Sequence, residues 1–368
     1  MKIKVVTVVG TRPEIIRCSE VIKNFQNRFN HKLIFTGQNY SKELSKNFFR
    51  NFNITPDINL KIVNKNSSMA ISEMFLKIDK ILEKFKPDAF FICGDTNSAL
   101  TSIIAKKRKI PVFHYEAGNR CFDQRVPEEV NRKIVDVSSD INLTYSNIAK
   151  QNLINENFPN DKIFNIGSPL KEVFNNNKSK ISNSRILEQL RIKQNSYIVL
   201  SLHRDENVEN QFILKKIINS LNFVSLKLKK KIIFSTHPRT MKKVKSLKLN
   251  KYFMICKPFD YFDYMKLQLN SYIVLSDSGS ISEESYLLKF PALNLRETHE
   301  RHEAMEKAVV MMTDFGEQNL LNNIKYVKSN SDKCNNIIAD YEQNFVSNKI
   351  SNIILSYINY INRTNYFK

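Results

Sequence analysis

Between Glu116 and Asp136 the sequence reads EAGNRCFDQRVPEEVNRKIVD. It sets Glu116, Asp123, Glu128, Glu129 and Asp136 among Arg120, Arg125, Arg132 and Lys133. Carboxylates interleaved with cations are the equipment of proton transfer beside an anionic substrate. Pro127 suits the first position of a helix, two glutamates in its first turn complement the helix dipole, and Glu128 and Arg132 stand four apart on one face. Ordinary surface ion pairs on a solvated helix are the plain alternative. Against that, Glu116 and Gly118 follow the apolar run Pro111 to Tyr115, where a buried strand hands over to a loop, and chemistry in open α/β sheets collects there. The stretch reads as half of an active site.

Other strand ends carry further candidates. Ile3 to Val9 ends in Gly10-Thr11-Arg12-Pro13-Glu14, in which Thr11 and Glu14 fit a capping box. Arg12 and Arg17 then fall in the first turns of a helix, whose exposed N–H groups already favour anions. Ala89 to Cys93 ends in Gly94-Asp95-Thr96-Asn97. Asp95 reads equally as a cap for a helix Ser98 to Lys107 or as a catalytic carboxylate.

These residues need a scaffold of strands alternating with helices. Short apolar runs at Lys32 to Thr36, Ile141 to Tyr145 and Ile163 to Ile166 complete a first series. Amphipathic segments such as Met69 to Phe85 lie between the strands, and the pattern is that of an α/β doubly wound parallel sheet. A polar stretch from about Lys171 to Asn195, with one helical piece, marks a domain boundary. The pattern then restarts with strands at Tyr197 to Leu202, Lys231 to Ser235, Phe253 to Cys256, Tyr272 to Leu275 and Pro291 to Leu295. Their ends bring His203-Arg204, His237, Pro258-Phe259, Ser278-Gly279-Ser280, and Arg296 with Arg301. Ser280 and Glu283 make a second capping box at the start of a helix, and a small turn there lets N–H groups approach a phosphate. With Arg296, Arg301, His203 and His237 at neighbouring strand ends, a diphosphate is the implied ligand. Ile350 to Ile361 is a packing helix. The expected domains are 1–172 with the terminal helix 347–368, and 173–346.

Composition narrows the classes. A hydrophobic content of 42% over 368 residues suits a globular chain of two domains. No apolar run approaches the roughly 20 residues of a membrane span. The N-terminus lacks a signal-peptide core, and five irregularly spaced cysteines suit free thiols in a reducing compartment, so a cytoplasmic location is expected. The formal charge of +21 invites nucleic acid as a partner. It is mostly scattered lysine without a nucleic-acid motif, so steering of an anionic substrate is the better reading. Neither a Walker motif, nor a G-x-G-x-x-G fingerprint, nor a metal-ligand spacing occurs. One half donates acids (Asp95, Glu116, Glu128) and the other phosphate ligands, a division that fits a nucleotide-sugar enzyme.

Taken together, Val9 to Glu14, Gly94-Asp95-Thr96, Glu116-Ala117-Gly118, Pro127 to Arg132, His203-Arg204, Asp277-Ser278-Gly279 and Glu300-Arg301 resemble the non-hydrolysing UDP-N-acetylglucosamine 2-epimerase family, in matching order from residue 5 to about 312. The resemblance implies a GT-B fold of two Rossmann-like domains facing across a cleft, no cofactor and no metal, and a homodimer. It implies Asp95, Glu116 and Glu128 as acid/base groups, with Arg17 close by. Arg12, Arg132, His203 and Arg301 would serve diphosphate and sugar, and His203 counts among the catalytic set. Ser278, Gly279, Ser280 and Glu284 would hold phosphates and ribose, and Pro258-Phe259 would border the uracil.

More narrowly, Gly118 to Pro127 and Arg296 to Arg301, with His299, look like the branch that makes UDP-N-acetyl-L-fucosamine from UDP-2-acetamido-2,6-dideoxy-L-talose, a capsule or O-antigen precursor. The general branch more often carries lysine at Arg17 and threonine at His299, and His302 stands where the fucosamine branch usually has proline. The family reaction is elimination of UDP to a 2-acetamidoglycal and re-addition, because C2 has no adjacent carbonyl to acidify its proton. Rival readings are UDP-N-acetylglucosamine as substrate, a GT-B glycosyltransferase, a hydrolysing epimerase and a basic nucleic-acid binder.

Overall fold

A computed structural model describes residues 2–37, 42–62, 66–236, 238–330 and 336–368. The chain divides into two compact units, 1–176 with 339–368, and 177–338. The expected boundary stretch is largely helical. Two helices, Leu170–Ser182 and Ile186–Gln189, occupy it, and the division falls inside the first.

The first unit holds β1 (Lys4–Val9), β2 (Asn30–Phe35), β3 (Ile58–Asn59), β4 (Ala89–Cys93), β5 (Val112–Ala117), β6 (Ile141–Thr144) and β7 (Ile163–Asn165). The order across the sheet is β3-β2-β1-β4-β5-β6-β7, and the pairs are parallel. All of β4 and β5 is buried, as a sheet covered on both faces requires. The chain runs outward from β1 to β3 and returns to the other side of β1 at β4. The loops after β1 and β4 therefore part at the switch point, where open α/β sheets bind ligands.

Thr11 and Glu14 close the expected capping box, and Pro13 stands in the first turn of Arg12–Arg28. Asn66 caps Ser67–Phe85 through the amides of Ser68 and Met69, and that helix buries Ala70, Met74, Ile78 and Leu82 at four-residue spacing. The last helix, Val346–Asn365, buries Ile350, Ile354, Ile358 and Ile361. Asn348 takes hydrogen bonds from Asn24 and Arg28 on Arg12–Arg28, fixing that packing within the unit.

The second unit repeats the plan with β8 (Tyr197–Ser201), β9 (Lys231–Ser235), β10 (Phe253–Cys256), β11 (Ile273–Ser276), β12 (Ala292–Asn294) and β13 (Met311–Met312). The order is β10-β9-β8-β11-β12-β13, again parallel, with the switch point between β8 and β11. Both units are thus Rossmann-like. Among the described residues no helix is long and apolar enough to cross a membrane.

Candidate active site

In the first unit two of the expected carboxylates, Asp95 and Glu116, lie at the ends of the adjacent strands β4 and β5, and the third, Glu128, opens a helix. Glu116 belongs to β5 itself, at an irregularity where the register with β6 shifts between Tyr115 and Ala117. Its φ of 76° lies in the left-handed region, which a side chain with a Cβ enters at a cost of about 1–3 kcal/mol. Such strain in a buried strand re-aims a side chain. Here it brings Glu116 Oε1 to 2.5 Å from an Arg17 guanidinium nitrogen. Arg17 also lies over the Tyr145 ring. Gly118 follows with φ 76°, and a Cβ there would come within 2.2 Å of the Ala149 carbonyl oxygen, so only glycine fits the turn.

Asp95 is half-buried and does not cap the next helix. Its Oδ2 accepts from Arg132 Nε at 2.8 Å, and Ala99 to Thr101 form a single 3₁₀ turn before Ser102–Lys107. The same Arg132 donates to Glu129 at 2.6 Å. Glu129 is thus a buried partner of Arg132, and its neighbour Glu128 is half-buried at the helix start. Burial alone would raise the Glu129 carboxyl. Hydrogen bonds from the Cys121 amide and Arg132, with the Cys121 thiol, outweigh it and hold the group below the usual carboxylate range. Asn131 donates to the Asp95 carbonyl, so Glu128–Ser138 is pinned to the loop after β4.

Arg12 stands half-buried over the Phe48 ring at 5.4 Å. Beside it Glu14 has a role beyond capping. Its carboxylate accepts from the Gly10 amide at 2.5 Å, the Thr11 amide at 3.2 Å and the Thr96 hydroxyl at 2.6 Å, tying the loop after β1 to the loop after β4. Burial pushes this carboxyl up to about 7, against the pull of those hydrogen bonds. A carboxyl titrating near 4.5 in the unfolded chain and near 7 in the fold stabilises the fold fully below pH 4.5 and loses that contribution as pH rises through 7. The expected loss is on the order of 3 kcal/mol. Glu14→Gln is expected to flatten that part of the pH–stability curve in denaturant melts, and an unchanged slope would refute the assignment.

In the second unit Asp277 organises the end of β11. Fully buried, it accepts from the His203 amide (3.1 Å), the Arg204 amide (3.0 Å), the Asn207 side chain and His203 Nδ1 (2.8 Å). Burial would raise its carboxyl, but the His203 ring and these donors hold it below the usual range. Asp277 thereby fixes the loop after β8 against the loop after β11.

The turn Ser278-Gly279-Ser280 precedes Ile281–Leu288. The second capping box does not form. Ser280 donates instead to Glu284 at 2.7 Å, and Glu283 accepts from Arg301 Nε at 2.8 Å with both side chains buried. A tertiary cation outcompetes the local N–H for Glu283. Gly279 lies close against Glu300: a Cβ there would come within 2.2 Å of Glu300 Oε1. Glu300 Oε2 in turn faces Arg296 at 2.8 Å.

The His299 ring lies tilted against that of His302, with centroids 4.8 Å apart, and burial lowers its pKa, assisted by His302. Glu284 also takes a hydrogen bond from Gln268. Pro258 and Phe259 are half-buried, and Phe259 packs on a core cluster with Ile281 and Leu267. His237 lies outside the described residues. The first unit thus gathers Arg12, Arg17, Asp95, Glu116 and Arg132 at its switch-point edge. The second gathers His203, Ser278 to Ser280, Glu284, Arg296 and Arg301 at its own. Among the described residues no cluster of His, Cys, Asp and Glu could hold a metal ion.

Sequence reasoning missed Glu14 as a buried carboxylate, Glu129, and a buried set around His114. A histidine in the middle of the otherwise apolar run Val112 to Tyr115 was the available signal.

Known proteins share this fold. A family model described as UDP-N-acetylglucosamine 2-epimerase matches residues 23–355. The chain belongs to that family. It is an enzyme of the isomerase class acting on UDP-sugars at C2, built on a GT-B fold. It is similar to the solved UDP-N-acetylglucosamine 2-epimerase of Rickettsia bellii, at 44% identity and a TM-score of 0.94, with all of both chains covered. A crystal structure from Methanocaldococcus jannaschii, in complex with UDP-GlcNAc and UDP, aligns at 32% identity and a TM-score of 0.88, covering 96% of this chain and 100% of that one. The Pseudomonas aeruginosa UDP-2,3-diacetamido-2,3-dideoxy-D-glucuronate 2-epimerase is 30% identical over 304 residues, 81% of this chain and 84% of that protein.

Proposed function

We propose that this UDP-sugar 2-epimerase inverts C2 of UDP-2-acetamido-2,6-dideoxy-L-talose to give UDP-N-acetyl-L-fucosamine, a step toward capsule or O-antigen. The observation that carries the mechanism is the strained Glu116, held on Arg17 one strand from Asp95. In the proposed reaction one carboxylate takes the proton from C2 while the C1–O bond to UDP breaks, leaving a C1=C2 double bond in a 2-acetamidoglycal. A UDP oxygen then adds back to C1 as a second acid delivers a proton to the opposite face of C2. Asp95, Glu116 and Glu128 supply the acid/base groups. Arg12 and Arg132 in the first unit, and His203, His237, Arg296 and Arg301 in the second, are the cationic or donor groups for the departing diphosphate. The Ser278-Gly279-Ser280 turn supplies backbone N–H groups for phosphate, and Glu284 a ribose acceptor. Pro258 and Phe259 border the uracil.

Arg17 and His299 support the fucosamine branch, where the general branch more often has lysine and threonine. Arg17 meets Glu116 in a short ion pair, which supports a role for this position in substrate choice. The relatives' names favour a second reading, UDP-N-acetylglucosamine as substrate. The two separate by proton NMR in heavy water. Deuterium at an inverted C2 is expected from the talose compound. Exchange from UDP-N-acetylglucosamine alone would move the enzyme to the mannosamine product, and full retention of the original hydrogen would exclude elimination.

We also propose a cytoplasmic homodimer. Free Cys18, Cys93, Cys121 and Cys256 suit a reducing compartment. Val130, Ile134 and Val137 form an exposed stripe along one face of Glu128–Ser138, apolar surface that a second copy would cover. Sedimentation equilibrium is expected to give twice the chain mass, and Val137→Lys to shift it toward the monomer. A monomeric mass for the unmodified chain would refute the dimer.

A further inference from the structure

Two of the proposed acid/base groups, Asp95 and Glu116, stand on separate turns, and a proton-transfer site requires those turns to keep one spacing. We propose that His114 and Asp136 are positioning residues that lock the Asp95 turn to the Glu116 turn. This rests on the reading of Asp95 and Glu116 as the proton-transfer groups.

His114 lies in the interior of β5, and its ring is buried. Both nitrogens face oxygen acceptors. Nδ1 lies 2.9 Å from Asp136 Oδ1, and Nε2 lies 3.0 Å from the carbonyl oxygen of Gly94, the residue before Asp95. Asp136, also fully buried, receives the Gly118 amide at 3.3 Å on each oxygen and Arg120 at 2.8 Å. Gly118 is two residues beyond Glu116. Arg120 continues the chain of bonds to Glu156 and to the Asn119 carbonyl.

One imidazole and one carboxylate thus hold a carbonyl beside one acid and an amide beside the other. These main-chain groups need such partners. Gly94, Glu116 and Gly118 all have positive φ, so their peptide units have left the regular strand geometry. A direct backbone bond, Gly94 N–H to the Tyr115 carbonyl at 2.9 Å, already brings the turns together. The His114–Asp136 pair sets the angle at which they meet. Neither side chain is a candidate for contact with substrate, so neither is a catalytic residue.

The test replaces His114 with Phe, which fills the volume without donating, and compares it with Asp95→Asn and Glu116→Gln. Turnover is counted per UDP-binding site from a UDP titration, so that folded fraction is removed from the comparison. For His114→Phe, kcat per site is expected to fall tenfold or more, with KM for the UDP-sugar and Kd for UDP within about threefold. His114→Gln keeps a single donor arm and is expected to recover part of that loss. A His114→Phe enzyme within twofold of the unmodified kcat per site, whatever its Tm, would overturn the proposal. If that variant does not fold, His114→Gln is judged by the same twofold criterion. Full turnover in Asp95→Asn and Glu116→Gln would instead sink the acid/base reading on which the proposal stands, so the two failures are told apart.

Discussion

Asp95→Asn, Glu116→Gln and Glu128→Gln are each expected to lower turnover roughly a hundredfold or more, because each removes a group proposed to move a proton while nearly preserving its volume. The three differ in what else they disturb. Glu116→Gln takes the charge from a buried pair with Arg17 and leaves a strained backbone holding an amide. Asp95→Asn weakens one carboxylate contact of Arg132, and the Glu129 contact remains. Glu128→Gln changes a half-buried residue in the first turn of its helix. A stability loss would therefore be largest for Glu116→Gln and smallest for Glu128→Gln. Turnover is expected to collapse in all three regardless of that order, and this separates a chemical role from a structural one. Near-normal turnover in all three would sink the proposed site.

The two parallel sheets were legible because strands covered on both faces become plain apolar runs, and Ala89 to Cys93 or Tyr197 to Leu202 can hardly be read otherwise. The edge strands β3 and β13 were not legible. Each has two residues, too few to carry a period, and each exists only because a neighbouring strand offers an unpaired edge. Site residues at strand ends could be picked out for a related reason: a charged residue directly after an apolar run has a defined place in a doubly wound sheet. Partner choice was the weaker part. Local rules gave Glu283 to a cap, whereas a residue 18 positions away took it. Spacing marked Glu128 and Arg132 as one face and gave no sign that Glu129 turns inward onto the same arginine. Such choices depend on which side chains the fold buries together, and local spacing carries no record of that.

Arg301 is a further residue whose partner is set by burial. Its guanidinium, 2% exposed, meets the fully buried Glu283 at 2.8 Å, so its expected role at the diphosphate competes with a structural one. Glu283→Ala takes away that carboxylate and is expected to cost roughly 3–5 kcal/mol of unfolding free energy in denaturant melts, because the charge of Arg301 stays buried. Replacing both members with apolar side chains of similar volume, Glu283→Leu with Arg301→Met, is expected to recover most of that loss, since the desolvation penalty disappears with the charges. The double variant then isolates the second role. If stability returns but UDP-sugar turnover does not, Arg301 acts on the substrate as well as on Glu283. If both return, the pair is scaffold, and the diphosphate falls to Arg12, Arg132, His203 and Arg296. A melt unchanged by Glu283→Ala would refute the structural role, because a buried guanidinium cannot lose its carboxylate without cost unless water or a second acid replaces it.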